Sequence, residues 1–304
     1  MTGGGCRPQQ RSDPPLCSFE LAGDAHEPAP ALSPTQWLPI VSPSIDRTRL
    51  VRTGPLRDTC GRQLPTTPAA WPACPNAFAR TVPRPGGVVD LDDFVLGSVR
   101  DGRLLVWAAT EDLSTGDGMG PAALVSWTEH GLDVHATGSL SGARDDVRLQ
   151  VHHSGGIPVV IHRAQRCDAD DVCRPVAHLT PIVGRRFREM PVFDPQGQCL
   201  GPATFELHRT AEQPTETGSL RRFELHRTIE LTPEGIVIVD LVTGQELDPR
   251  DPDGSAVPFR RITARRAIEL TEDRFVLRDR DLWTHTLRDS GMVRTPAATT
   301  AGPP

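Results

Sequence analysis

Apolar and polar residues alternate in short runs between about Val88 and Asp289, and each run ends at turn-forming residues. Four stretches share one design, in which a strand-like run, a tight turn and a second run rich in Val, Ile or Leu follow one another. They are FVLGSVRDGRLLVWAA, VRLQVHHSGGIPVVIHR, TIELTPEGIVIVDL and AIELTEDRFVLRDR. Apolar and polar residues that alternate with a period of two on both sides of a short turn predict a β-hairpin for each stretch.

Further strand-like runs lie between these hairpins, including AALVSWTEHGLDVHAT and RPVAHLTPIV. Long amphipathic helices are not evident, and only DRDLWTHTLRDS predicts a short helix. Many short strands with turns about every 8–12 residues are typical of all-β proteins. We therefore expect an all-β fold of propeller-like or meandering antiparallel sheets, with a β-sandwich as the alternative.

The N-terminal third differs from the rest in composition. Half of the 30 prolines precede residue 86, and few long apolar stretches occur there. This pattern predicts a mostly extended, Pro-rich tether over residues 1–85 that contributes little to the core. The periodic pattern then predicts a β-rich core domain over residues 86–290, and the sequence TPAATTAGPP predicts a disordered tail over residues 291–304.

The hexapeptide FELHRT occurs twice, at residues 205–210 and 223–228, and the linker between the copies contains a Pro and a Gly. Such a linker favours a loop, so the two copies are expected to pair as an antiparallel hairpin. Side chains of opposite charge would then face each other across the strands and fix the register. The expected cross-strand pairs are Glu206 with His226 and His208 with Glu224.

A metal-binding alternative uses the same four side chains, because two Glu and two His on one face match the ligand types that zinc prefers. Ordinary cross-strand pairing is the preferred interpretation, since nothing in the spacing is specific to a metal. On that interpretation the repeat is a structural device, and we expect the protein to retain no metal.

The chain contains no Lys and no Tyr, and all 33 basic residues are Arg. A chain without Lys has no phosphate-loop lysine, no Schiff-base lysine and no Ser-x-x-Lys catalysis. The segment GSLSG places Leu140 where a nucleophile elbow needs Ser. No catalytic residue and no cofactor is therefore predicted.

One acidic loop is a candidate calcium site. The segment DPRDPDGS carries Asp248, Asp251 and Asp253 before a Gly, and Ca²⁺ prefers clustered carboxylates beside such a turn. The spacing does not match the calcium loop of an EF-hand, and the distal Glu is missing. A solvated turn is therefore the simpler interpretation of this loop.

The seven cysteines include no CxxC pair, so structural zinc is not expected. Cys167 and Cys173 bracket five acidic or small residues between two strand-like runs, which predicts a disulfide and hence an oxidising compartment. Cys60 and Cys74, separated by thirteen residues, are the expected second pair. The pairing of Cys17 and Cys199 stays open.

The segment DDVRLQVHHSGGIPVVIHR resembles a blade hairpin of secreted β-propellers, and the other three hairpins resemble it more loosely. The start of the chain, MTGGGCRPQQRSDPP, is similar to the end of a bacterial lipoprotein signal followed by a polar spacer, although the preceding hydrophobic stretch is missing. This second resemblance implies a lipid on Cys6 and attachment to a membrane. No apolar run approaches the roughly 20 residues of a spanning helix, so no transmembrane segment is predicted.

These patterns favour a non-catalytic binding or structural protein of the periplasm, the cell envelope or the extracellular space, with an unknown ligand. An extracytoplasmic hydrolase of the propeller type, using loop Asp, Glu and His residues, is the alternative function. The alternative location is the cytoplasm, where the cysteines would be free thiols. Arg and Phe alternate in several runs, but the net charge of −6 argues against nucleic acid as a partner.

Overall fold

The computed structural model describes residues 14–20, 32–46, 48–64, 74, 89–90, 92, 94–99, 102–113, 116–167, 172–248, 256–278 and 281–292. Strands account for 61% of these residues and helices for 8%, which confirms the predicted all-β class. The sheets meander, and they are curled and nearly closed.

Eighteen strands and two helices lie in the described part of the chain. The strands are β1 (Cys17–Glu20), β2 (Phe94–Ser98), β3 (Arg103–Ala108), β4 (Glu111–Asp112), β5 (Gly118–Thr128), β6 (Gly131–Gly142), β7 (Asp145–Ser154), β8 (Ile157–Cys167), β9 (Cys173–Val183), β10 (Arg186–Phe187), β11 (Pro191–Phe193), β12 (Cys199–Pro202), β13 (Thr204–Glu206), β14 (His208–Pro214), β15 (Leu220–Thr232), β16 (Gly235–Leu247), β17 (Val257–Leu270) and β18 (Phe275–Leu277). The helices are α1 (Pro34–Val41) and α2 (Leu282–Asp289).

Eleven of the strands form one sheet, which we call the curled sheet. Its main path runs β2-β3-β5-β6-β10-β9-β8-β7, and β1, β4 and β13 pair alongside that path. The two ends of the path meet, because Gly97 in β2 lies against Leu149 in β7. A Cβ atom at Gly97 would lie only 2.7 Å from the Leu149 carbonyl oxygen, so this approach requires glycine.

The remaining seven strands form the second sheet, in the order β12-β11-β18-β17-β16-β15-β14. Its inner face packs against the curled sheet around Ile161, Leu179, Ile238 and Phe275. All four predicted hairpins are present, as β2–β3, β7–β8, β15–β16 and β17–β18. The predicted short helix is also present as α2.

The expectation of a coreless N-terminal third is wrong for the part that the structure describes. Strand β1 pairs with β6, and Trp37, Leu38 and Val41 of α1 are buried against the curled sheet. Helix α1 was missed because prolines indicated extended chain. Pro34 instead occupies the start of the helix, where proline is tolerated, behind a Ser33 capping box.

Three disulfides join the described segments. The predicted bond between Cys167 and Cys173 is present and closes the β8–β9 hairpin. The predicted pair of Cys60 with Cys74 is wrong. Cys60 is bonded to Cys17 of β1, and Cys74 is bonded to Cys199 of β12. The N-terminal segment folds back over the curled sheet, so these cysteines meet partners that are remote in sequence.

No helix among the described residues is long and apolar enough to cross a membrane. The proposed lipid attachment residue Cys6 and the predicted tail beyond residue 292 lie outside the described residues.

Candidate functional site

The two FELHRT copies do form neighbouring strands, but their register differs from the prediction. Strand β14 pairs with β15 so that His208 faces His226 and Thr210 faces Glu224. The predicted pairs of Glu206 with His226 and of His208 with Glu224 are therefore wrong. Glu206 lies on β13, which pairs with β9 of the curled sheet, and its carboxylate forms an ion pair with Arg209.

The register follows from where the chain changes sheets. The Leu207 N–H donates to the Pro175 carbonyl at 2.8 Å, and the Leu207 carbonyl accepts from the Arg227 N–H at 2.7 Å. The chain therefore crosses from the curled sheet to the second sheet at Leu207. The turn of the hairpin closes between Thr215 and Ser219, where the Thr215 N–H donates to the Ser219 carbonyl, so its centre lies one residue later than expected.

The observed register brings His208, Glu224 and His226 together on the outer face of the second sheet. One possible ligand atom from each residue lies within 4.8 Å of the other two. The two imidazole ring centroids are 4.7 Å apart, and a Glu224 carboxylate oxygen is 3.7 Å from His226 Nε2. Three of the four predicted metal ligands thus form a cluster, and Glu206 is not part of it.

A groove lies at the far end of the same sheet, beside the tip of the β14–β15 hairpin. It has a volume of about 400 Å³. Its lining combines the hydroxyl residues Thr217 and Ser219, the carboxylates Glu246 and Asp248, and the exposed apolar side chains Val257 and Phe259.

The groove exists because β15, β16 and β17 extend beyond the curled sheet. Near the β15–β16 turn the curled sheet covers their inner face. Farther along, the described element that covers it is α2, through Trp283 packed on Phe223. Phe259 lies beyond that helix, edge-on to Phe223 at 5.6 Å between centroids, with the Arg221 guanidinium 5.5 Å from its ring. The Ser219 hydroxyl donates to Glu246 across the groove wall.

The sequence indicated only one groove residue, the proposed calcium ligand Asp248. The other two proposed calcium ligands, Asp251 and Asp253, lie outside the described residues. The sequence feature that could have indicated the groove is VPF at residues 257–259. It is an apolar start to a strand, and it directly follows an acidic segment.

A third cluster of polar side chains lines a cavity of about 20 Å³ at the edge of β9. Ser141 donates to Glu189 there, and the Thr204 hydroxyl lies 2.8 Å from His178 Nδ1. A cavity of this volume holds about one water molecule, which is too little for an organic substrate. The cluster was not predicted from the sequence, because its members come from four separate segments.

The interior of the curled sheet contains a buried histidine, His162 on β8. Its ring packs edge-on to Trp107 at 4.8 Å between centroids, and its Nε2 lies 3.0 Å from the Ala143 carbonyl oxygen. Since a carbonyl only accepts, Nε2 carries the proton, and Nδ1 has no hydrogen-bond partner among the residues that the structure describes. Burial lowers the pKa of His162 to about 4, although the Ala143 hydrogen bond and the Asp117 charge act in the opposite direction.

We predict that His162 makes the protein less stable in mild acid. The unfolded chain takes up a proton near pH 6.5, whereas the folded protein resists protonation until about pH 4, so stability falls as the pH decreases through this window. Between pH 7 and pH 5 the expected loss in unfolding free energy is about 2 kcal/mol. Denaturant unfolding at the two pH values measures the loss, and His162→Leu should flatten the dependence. An NMR titration that placed the pKa of His162 near 6.5 in the folded protein would contradict the prediction.

Comparison of this chain with protein-family models, with curated proteins and with solved structures finds no match.

Proposed function

We propose that this protein is a non-catalytic binding protein of an oxidising, extracytoplasmic compartment, and that its ligand occupies the groove beside Phe259. The groove itself is the observation that carries the proposal. Its volume of about 400 Å³ lies within the roughly 300–1,000 Å³ of typical small-molecule sites, and it combines apolar walls with a few polar groups.

The compartment is inferred from the three disulfides. They engage six of the seven cysteines and connect β1, β8, β9 and β12 to neighbouring segments. Disulfides of this kind form and persist in oxidising compartments and are rare where thiols are kept reduced. Cys6 is the seventh cysteine, which leaves it as the candidate for the lipid attachment that the start of the chain suggests.

The absence of catalysis is inferred from how the chemically active side chains are distributed. A hydrolase would need several carboxylates or His side chains converging on a substrate-sized pocket. In the described part of the chain, His162 is buried in the curled sheet, His153 is exposed on β7 and His226 lies on the outer face of the second sheet. The cavity that holds Ser141 and Glu189 has room for about one water molecule.

The chemistry of the groove favours a ligand that is rich in hydrogen-bond donors. Glu246 and Asp248 contribute carboxylate oxygens, which accept hydrogen bonds and repel anions. Phe259 is 47% exposed and Val257 is 63% exposed, so a ligand that also has an apolar face would remove apolar surface from water. Molecules with hydroxyl or ammonium groups next to carbon skeletons, such as saccharides and alkylamines, have this combination.

We predict that donor-rich probes bind the groove and anionic probes do not. Oligosaccharides and alkylamines would be compared with carboxylates and phosphate esters by thermal shift and calorimetry. For any probe that binds, Phe259→Ala and Glu246→Gln should each weaken the binding at least about tenfold. This is the loss expected for one well-packed or charged contact. Leu231→Ala, which removes an exposed apolar side chain at the other end of β15, is the matched control. Binding of the anionic set, or binding that Phe259→Ala leaves unchanged, would exclude the groove as the site.

A further inference from the structure

The cluster of His208, Glu224 and His226 carries an inference beyond the groove. We propose that these three side chains form a binding site for one divalent transition-metal ion, of the zinc, nickel or copper type, on the outer face of the second sheet. This site is separate from the proposed ligand groove, so either can fail without the other.

The ligand types match such an ion. Neutral imidazole and carboxylate groups bind zinc, with the ligand atoms about 2.0–2.2 Å from the metal. Imidazole ligands also suit nickel and copper, whereas calcium and magnesium prefer sites made only of oxygen. Two His and one Glu leave at least one coordination position for water or for a ligand from another molecule.

The distances fit after small movements of exposed side chains. Tetrahedral ligands about 2.0–2.2 Å from a zinc ion are roughly 3.3 Å from one another. The three ligand atoms here already lie within 4.8 Å, and the Glu224 oxygen lies 3.7 Å from His226 Nε2. The His226 side chain is 54% exposed, so its rotamer can change without disturbing the core.

The backbone beneath the cluster is held in place on both strands. Strand β15 is hydrogen-bonded to β14 on one side and to β16 on the other, and His208 directly faces His226. Next to this pair, the Arg227 N–H donates to the Leu207 carbonyl. Only side-chain torsions therefore need to adjust when an ion binds.

The register also weakens the purely structural interpretation of the repeat. That interpretation needed each His to face a Glu, which would give two complementary pairs. In the structure His faces His, and the only carboxylate in the cluster is Glu224. Two imidazoles that face each other form no opposite-charge pair, whereas both rings can donate a nitrogen lone pair to one cation.

Calorimetry with zinc chloride tests the site on the full-length protein after treatment with a chelator and dialysis. We expect one equivalent of zinc to bind and to raise the unfolding midpoint by several degrees. Replacement of zinc by cobalt should give the visible absorption that is typical of a four-coordinate cobalt ion. His226→Gln and His208→Gln should each reduce the zinc affinity by at least about tenfold, because each removes one of three ligands.

Two controls separate this site from other ways of binding zinc. Glu206→Gln removes the predicted ligand that the structure places outside the cluster, and His153→Gln removes an exposed His on β7. Both variants should bind zinc like the wild type. Zinc that binds equally well to His226→Gln, or a wild-type protein that binds no zinc at micromolar concentration, would overturn the proposal. Neither result bears on probe binding in the groove, which Phe259→Ala tests separately.

Discussion

Replacing Asp240 by Ala should destabilise the protein by about 3–5 kcal/mol, because it leaves two buried guanidinium groups without their main partner. Asp240 on β16 is fully buried and accepts from Arg227 Nε at 2.6 Å and from Arg266 Nη2 at 2.5 Å. Arg266 is itself 2% exposed, so bulk solvent does not reach its guanidinium to replace the lost carboxylate.

The same network attaches α2 to the second sheet. Arg227 also donates to Asp281 at 2.9 Å, and Asp281 caps the first turn of α2 by accepting from the Thr284 N–H. Burial by itself would raise the pKa of Asp281, but the Arg227 charge and the Thr284 hydrogen bonds outweigh burial and lower that pKa. The contribution of Asp281 is therefore present above the ordinary Asp pKa of about 4 and is lost only as the pH falls through the lowered value.

Denaturant unfolding of Asp240→Ala at pH 7 measures the effect, provided that the slope against denaturant stays constant. Glu230→Ala is the matched control, because it breaks an Arg–carboxylate pair on the same sheet in which Glu230 is 41% and Arg265 is 58% exposed. That exposed pair should contribute at most about 1 kcal/mol. Equal effects of the two substitutions would show that the buried network contributes no more than a surface ion pair.

Replacing Trp37 by Ala should also destabilise the protein by about 3–5 kcal/mol, the usual range for a buried Trp. Trp37 is 2% exposed, and its ring lies 5.8 Å from that of Trp127 and 6.4 Å from that of Phe94, measured between centroids. Thr35→Ala, on the exposed side of the same helix, is the control and should change stability by less than about 0.5 kcal/mol.

Deletion of residues 1–50 should have a still larger effect. It removes β1 from the edge of β6, removes α1 and leaves Cys60 without Cys17. We expect the thermal midpoint to fall by about 10 °C or more, or cooperative unfolding to disappear. The interpretation of the N-terminal segment as a tether would be restored if the truncated protein kept the wild-type midpoint and Trp37→Ala kept the wild-type stability.

Asp58 shows why the composition of the predicted tether did not reveal that this part of the chain is structural. Its buried carboxylate accepts from the Cys60 and Arg62 backbone N–H groups, from the Thr137 hydroxyl at 2.8 Å and from Arg186 at 2.7 Å. Two of these partners lie far along the chain. A pattern of prolines reports local backbone preference only, and it contains no information about hydrogen bonds to the curled sheet.

The candidate sites were predictable to different degrees. The outer-face cluster was found through the FELHRT repeat, since alternation along a strand places His208, Glu224 and His226 on one face whether or not the register is shifted by two residues. The groove was not found, because Ser219 comes from the β14–β15 turn, Glu246 from β16 and Phe259 from β17, and they become neighbours only at the end of the second sheet.

The sequence by itself determined the all-β class, the four hairpins and the Cys167–Cys173 disulfide, because side-chain alternation, turn chemistry and closure of a short loop depend on residues that are near one another in the chain. Tertiary structure alone decided that Cys60 bonds to Cys17, that Glu206 lies apart from His208, Glu224 and His226, and that Trp37 completes a core. Each of these contacts joins segments whose pairing depends on the free energy of the whole fold. Local preference does not distinguish between the possible partners of such segments.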